Sequence, residues 1–285
     1  MRRILAATDF SHRADLALER AAMLARAIDA SLEMLHVVDP DRPKRLVAAE
    51  ADLSLDLLEE QGKLLRDRHG IDINTHLYDG DAFQGIARAL DDLQPDLLVL
   101  GAYRRRLLQD TFLGTTAERS IRRSRKPVLM VNTEPREPYV HILAAVDLSA
   151  CAASALRAIK ALELDHNTMF SVAHFFEAPA FGSIALNSMS KAEIKSYLAE
   201  ETALAANGLD KFLQSVKAGR VQRIVQHINT TIVTEIENIS RELGADLLVI
   251  GAGAGSGPAR MLLGSTALNI LATSRRDVLV VPQAK

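Results

Sequence analysis

Residues 4–11 read ILAATDFS and residues 142–149 read ILAAVDLS, so an apolar run ending in aspartate and then serine occurs twice, with Asp9 and Asp147 138 residues apart. Each run is short and built from small or branched apolar residues, as in a buried strand. An aspartate followed by serine is also a helix-start signal, because their side chains can accept from the free amides of a first turn. Each copy therefore opens with a strand that leads into a helix.

The same shift of 138 relates LHVVD at residues 35–39 to AHFFE at 173–177. Further on the shift becomes 150, for PDLLVLGA at 95–102 against ADLLVIGA at 245–252 and for LGTTA at 113–117 against LGSTA at 263–267. The copies end alike in KPVLMVN at 126–132 and RDVLVVP at 276–282. Two copies of one domain follow, residues 1–134 and 139–285, and the second carries about twelve extra residues in its middle. Residues 132–138, NTEPREP, are polar and contain prolines that continue neither strand nor helix, which makes them the linker.

Apolar runs alternate with longer segments of helical period in each copy, the pattern of βαβ units around a parallel sheet. Strands are expected near 3–8, 32–38, 71–77, 96–100 and 127–131, and again near 140–146, 168–176, 221–228, 246–250 and 277–281. Residues 14–28 form a helix with Leu16, Arg20, Leu24 and Ile28 four apart and Ala17, Ala21 and Met23 on the same apolar face. The extra residues lengthen the crossover at 177–219, where Pro179 and Gly182 mark a loop and Ile194, Leu198, Leu209, Phe212, Leu213 and Val216 are the expected inward positions.

With 285 residues, 48% of them hydrophobic and 25% charged, the chain has the composition of a soluble globular protein with room for one large or two ordinary domains. A net charge of −2 gives no global attraction to nucleic acid or an anionic membrane. The apolar runs fall far short of the about 20 residues that span a bilayer, and MRRILAATDFS, which lacks a long apolar stretch, carries no expectation of export. The single cysteine, Cys151, excludes an intrachain disulfide, so a cytoplasmic location is expected.

In an open parallel sheet, ligands sit outside the carboxyl ends of the strands. The repeated polar signals fall there: Asp9 and Asp147 after the first strands, Val38 and Phe176 at the second, Gly101 and Gly251 at the fourth. Gly114 and Gly264 precede the last helices, which open with Thr115 and Thr116 or Ser265 and Thr266. Glycines let backbone amides approach a phosphate closely, and a helix start adds further amides and partial positive charge.

These residues resemble the universal stress protein family over nearly the whole chain. Its nucleotide-binding members carry a glycine, two residues, a glycine, nine residues, and a glycine followed by serine or threonine. In GAGAGSGPARMLLGST those places hold Gly251, Ala254, Gly264 and Ser265, with Gly253, Gly255 and Gly257 alongside; in GAYRRRLLQDTFLGTT they hold Gly101, Arg104, Gly114 and Thr115. Ala254 adds one methyl, whereas Arg104 either fills the phosphate position or meets the phosphate as a cation. The second copy is therefore the expected binder.

The resemblance implies two Rossmann-like (HUP-type) α/β domains, each a five-stranded parallel sheet of order 3-2-1-4-5 with helices on both faces. It implies ATP or another adenine nucleotide, ADP or AMP, with or without Mg2+, and a stress-response function. Asp9 and Asp147 inherit a place near the base or ribose; capping of the following helix is the rival reading. Phe175 and Phe176 stand where the first copy has Val37 and Val38, and either narrow an adenine slot or fill core. The last strands, at sheet edges, are expected to pair with each other inside the chain, and a homodimer of whole chains stays open.

Three function classes are in play: a nucleotide-dependent binding module, a nucleotide-free dimerisation scaffold, and a slow ATPase. No Walker lysine, nucleophile elbow or zinc ligand set is found, which puts the enzyme third, with no catalytic residue assigned. His36 and His174 read as structural and no metal is assigned. Cys151 reads as a packed side chain, with redox sensing as the rival. The cluster Arg104, Arg105, Arg106, Arg119, Arg122, Arg123, Arg125 and Lys126 suggests an anionic partner, but lacks the interleaved aromatics of a nucleic-acid platform.

Overall fold

The computed structural model describes residues 1–41, 43–102, 115–178, 190–253 and 263–283. The first copy runs β1 (Arg2–Ala7), α1 (His12–Ala27), β2 (Ala30–Val38), α2 (Lys44–His69), β3 (Ile73–Asp79), α3 (Ala82–Leu93), β4 (Leu97–Gly101), α4 (Thr115–Arg123) and β5 (Val128–Val131). The second runs β6 (His141–Val146), α5 (Ala150–Ala161), β7 (Met169–Phe176), α6 (Lys191–Ser215), β8 (Gln222–His227), α7 (Ile232–Glu242), β9 (Leu247–Ala252), α8 (Ser265–Thr273) and β10 (Asp277–Pro282).

The strands form one ten-stranded sheet in the order β3-β2-β1-β4-β5-β10-β9-β6-β7-β8. Each half has the expected 3-2-1-4-5 order and is parallel throughout. The halves join through one antiparallel pair, β5 with β10, in which Leu129 faces Leu279 while Val128 faces Val280 and Met130 faces Val278. Since 129 and 279 are equivalent positions, a pseudo-twofold axis passes between these leucines. The edge strands of the two copies thus satisfy each other's backbone groups, as a partner chain would.

Central strands are buried on both faces and so read as continuous apolar runs. Along β4, Leu97 and Val99 join the core under α1, α2, α5 and α6, while Leu98 and Leu100 join the core under α3, α4, α7 and α8. Leu209 and Leu213 of α6 are buried as expected, but Ile194 and Leu198 are only half-buried. The reason is length: 25 residues of helix at about 1.5 Å each reach about 37 Å, beyond the roughly 20–27 Å of the strands beneath. α2 has 26 residues and overhangs likewise, with Leu46 and Leu53 exposed. The two long helices match in length, so the insertion falls mainly between β7 and α6, where Pro179 and Gly182 lie outside the described residues.

The linker is clasped rather than loose. Asp277, 0% exposed at the start of β10, accepts from the Asn132 amide (2.8 Å), the Thr133 amide (3.0 Å) and hydroxyl (2.9 Å), and the Tyr139 hydroxyl (2.6 Å). Arg20 lies 3.3 Å from the same carboxylate, stacks over the Tyr139 ring at 4.1 Å and donates to the Glu137 carbonyl at 2.9 Å. Arg20 takes its place on the inward face of α1 as the buried partner of this carboxylate. Burial and the neighbouring Asp277 push the Tyr139 hydroxyl well above its ordinary value, so it stays a donor.

Candidate functional site

Where β1 ends, Asp9 Oδ1 accepts from the Ser11 amide at 3.0 Å, and the Ser11 hydroxyl oxygen accepts from the Ala14 amide at 3.4 Å. The second copy repeats this with Asp147 and Ser149 at 3.1 Å and Ser149 and Ala152 at 3.2 Å. Serine, not aspartate, therefore caps each helix, and the aspartate carboxylate stays exposed at the rim of a cleft. Between them Phe10 and Leu148 hold φ of 56° and 61°. A bulky side chain in the left-handed region costs about 1–3 kcal/mol, and its recurrence at one position in both copies marks a turn that the surroundings enforce.

His36 Nδ1 donates to the Thr8 carbonyl at 2.9 Å and its ring packs 4.4 Å from Phe10; His174 Nδ1 donates to the Val146 carbonyl at 3.0 Å. Both histidines tie second strands to first-strand ends. Among the described residues no group of three or more histidine, cysteine, aspartate or glutamate side chains is placed to hold a metal ion.

Gly101 and Gly251 have a packing reason to be glycine. A Cβ on Gly101 would stand 2.7 Å from the Arg13 carbonyl oxygen, and one on Gly251 would stand 2.7 Å from the Cys151 carbonyl carbon. The first turns of α1 and α5 press directly on these strand ends. Gly264 differs: its φ of −60° suits any residue, and among the described residues a Cβ there would meet nothing within 4 Å. It caps α8 without a side-chain hydrogen bond of its own, at a cleft lined by Gly264 and Thr266.

The two clefts lie at equivalent carboxyl ends but differ in shape. The first encloses about 290 Å³ between Ala7, Asp9, Val37, Ala82, Gly101 and Thr116, with Arg13 on its wall. The second encloses about 200 Å³ and brings together Asp147, Gly251, Gly253, Gly264 and Thr266. There Phe175 replaces Val37 and Ile232 replaces Ala82, so two larger side chains occupy the space that is open in the first.

Val38 is buried with its carbonyl accepting from the Gly80 amide at 3.0 Å; Val37, not Val38, lines the first cleft. Ser265 is exposed at the start of α8. Arg104, Gly114 and Ala254, with Gly255, Gly257, Arg105 and Arg106, lie outside the described residues, as does the side chain of Thr115. Sequence reading missed Arg13, Ala82 and Ile232, although the shifts between copies align Arg13 with Cys151 and Ala82 with Ile232. Burial, and after it the Asp147 charge, push the Cys151 thiol up, the direction of an unreactive packed cysteine. Of the arginine cluster, Arg119 stacks over Phe83 at 4.0 Å, Arg122 pairs with Glu118 at 2.7 Å and Arg123 with Asp91 at 3.1 Å.

Two parallel half-sheets, each with a cleft at its topological switch point, define a duplicated Rossmann-like α/β fold. The model of the universal stress protein family matches residues 1–132 and 138–282, and the chain belongs to that family. A universal stress protein of Methanocaldococcus jannaschii is 28% identical over 144 residues, 48% of this chain and 85% of that protein. The solved structure of a universal stress protein from Archaeoglobus fulgidus matches with a TM-score of 0.71 at 16% identity, covering 99% of this chain and 98% of that one. A Pseudomonas aeruginosa protein solved with its function unknown matches at 0.65 and 20% identity, covering 99% and 93%. No helix among the described residues is long and apolar enough to cross a membrane.

Proposed function

We propose that this chain is an adenine-nucleotide-binding stress protein that acts through the conformation or partners selected by ATP, ADP or AMP. The observation that carries the proposal is the start of α8. Among the described residues Gly264 has no backbone or packing need to be glycine, and it starts α8 beside the cleft without a capping side chain. Such a helix start favours a phosphate through its free N–H groups and partial positive charge.

The clefts divide the ligand between them. In the second, Gly253, Gly264 and Thr266 serve the phosphate end, while Phe175 and Ile232 crowd the nucleoside end. In the first, Val37 and Ala82 leave room for a nucleoside beside Asp9, and Arg13 supplies a cation. ATP is expected to bind tighter in the second cleft and adenosine in the first. Denaturing the purified protein and identifying the released small molecule by mass spectrometry tests the function. An adenine nucleotide is the expected result, and a protein that neither releases nor takes one up contradicts it.

A further inference from the structure

The pseudo-twofold axis that relates the copies should duplicate every surface near it, and at one place it does not. On one side the groove between α1 and the β5–β10 junction is filled by the linker and the residue after it, with Pro135 and Tyr139 buried. On the other side the equivalent groove, between α5 and the same junction, is an open cleft of about 270 Å³. The residues that clasp the linker have changed character there: Ala158 stands at the counterpart of Arg20, and Pro127 at the counterpart of Asp277. Met1, the counterpart of Tyr139, is exposed.

The open groove has an apolar floor, made by Pro127, Ala158, Leu162 and Val281, and a rim of Arg2, Arg125 and Arg157 with one carboxylate, Asp96, whose Oδ2 accepts from the Arg3 amide at 3.0 Å. Arg2 on that rim is paired with Glu163 at 2.7 Å. Arg125 and Arg157 are exposed, and neither has a carboxylate partner among the described residues. Arg125 thus belongs to this groove, while Arg119, Arg122 and Arg123 of the same cluster spend their charge locally.

We infer that this groove docks an extended acidic segment of a partner protein, laid across the α5 face as the linker is laid across the α1 face. The filled groove displays the mode: an irregular, proline-containing segment that buries a proline and an aromatic ring. The rim sets the charge, because two unpaired guanidinium groups flanking an apolar floor complement carboxylates on either side of an apolar anchor. The groove is separate from both nucleotide clefts and the inference does not depend on them.

The probe is a fluorescein-labelled peptide of the linker sequence, residues 132–139, carrying Arg136→Glu, titrated with the full-length protein and followed by fluorescence anisotropy. Saturable binding is expected that weakens with added salt and falls at least about tenfold in the R125E/R157E variant. Ala158→Phe, which fills the floor without touching the rim, should weaken it as well, and circular dichroism confirms that both variants fold. ATP affinity should be unchanged in both. Equal peptide binding by wild type and R125E/R157E overturns the inference. Tighter binding of a short single-stranded oligonucleotide through the same arginines overturns the assignment of a peptide partner.

Discussion

The first cleft is roomy and carries a cation; the second is glycine-lined and crowded. Both arise from the same fold, at strand ends related by a near-exact repeat, yet Val37 and Ala82 in one become Phe175 and Ile232 in the other. Conversely Arg13 becomes Cys151, whose thiol is held up by burial. The repeat places the clefts at equivalent strand ends, and the differing side chains give them different shapes. The grooves beside the axis differ in the same way, one closed by Asp277, Arg20 and Tyr139, the other open over Pro127 and Ala158.

The largest effect is expected where the halves are most unlike. Asp277→Ala strands the buried Arg20 charge, the Tyr139 hydroxyl and two linker amides, and should cost about 3–5 kcal/mol in a denaturant melt. Pro127→Ala at the counterpart should cost under about 1 kcal/mol. Equal losses would mean that the clasp does not hold the halves together.

Next in size is Gly264→Asp. Its Cβ meets nothing within 4 Å among the described residues, so stability should change little, while a carboxylate facing the phosphate should lower ATP affinity of the second cleft at least about tenfold. Arg13→Ala should weaken ATP in the first cleft about fivefold and leave adenosine unaffected there, as calorimetry can read. Widening the second cleft by Phe175→Val with Ile232→Ala should raise its adenosine affinity toward that of the first. The lost packing should cost about 2–4 kcal/mol of stability.

The smallest effect separates the copies by pH. Burial works to raise the Glu33 carboxyl, but hydrogen bonds from His76 (2.7 Å), Ser31 (2.9 Å) and Asn74 (3.2 Å) outweigh it and hold the group below its ordinary 4.5. The equivalent residue of the second copy is Ser171. A lowered carboxyl contributes stability that is fully present above its ordinary value and is lost as pH falls through the folded one. Glu33→Gln should therefore be less stable by about 1 kcal/mol at neutral pH and lose less than wild type on acidification. Parallel acid limbs for the two proteins would contradict that assignment.

The fold was legible because parallel strands buried on both faces appear as apolar runs, and because two copies confirm each other at every element. The strand order and the β5–β10 pairing came with the family resemblance, since nothing in KPVLMVN or RDVLVVP names its neighbour. Less legible was anything decided by contacts distant in sequence. Arg20 looked like one helical position among several until Asp277, 257 residues on, was placed beside it. Ile194 and Leu198 keep the period of a buried face, but the sheet ends before they reach it. Gly101 and Gly251 looked like phosphate glycines, and their nearest demand is the backbone of the first helix of each copy, α1 and α5. Arg13, one turn from Asp9, could have been found by aligning the copies, because a cation facing a cysteine is the kind of difference that a repeat exposes.

The most direct measurement is calorimetric titration of ATP and, separately, adenosine into the full-length protein and its Gly264→Asp variant. The account predicts that the variant loses the tighter ATP site and keeps the tighter adenosine site. Loss of adenosine with ATP retained, or identical titrations of both proteins with both ligands, would contradict it.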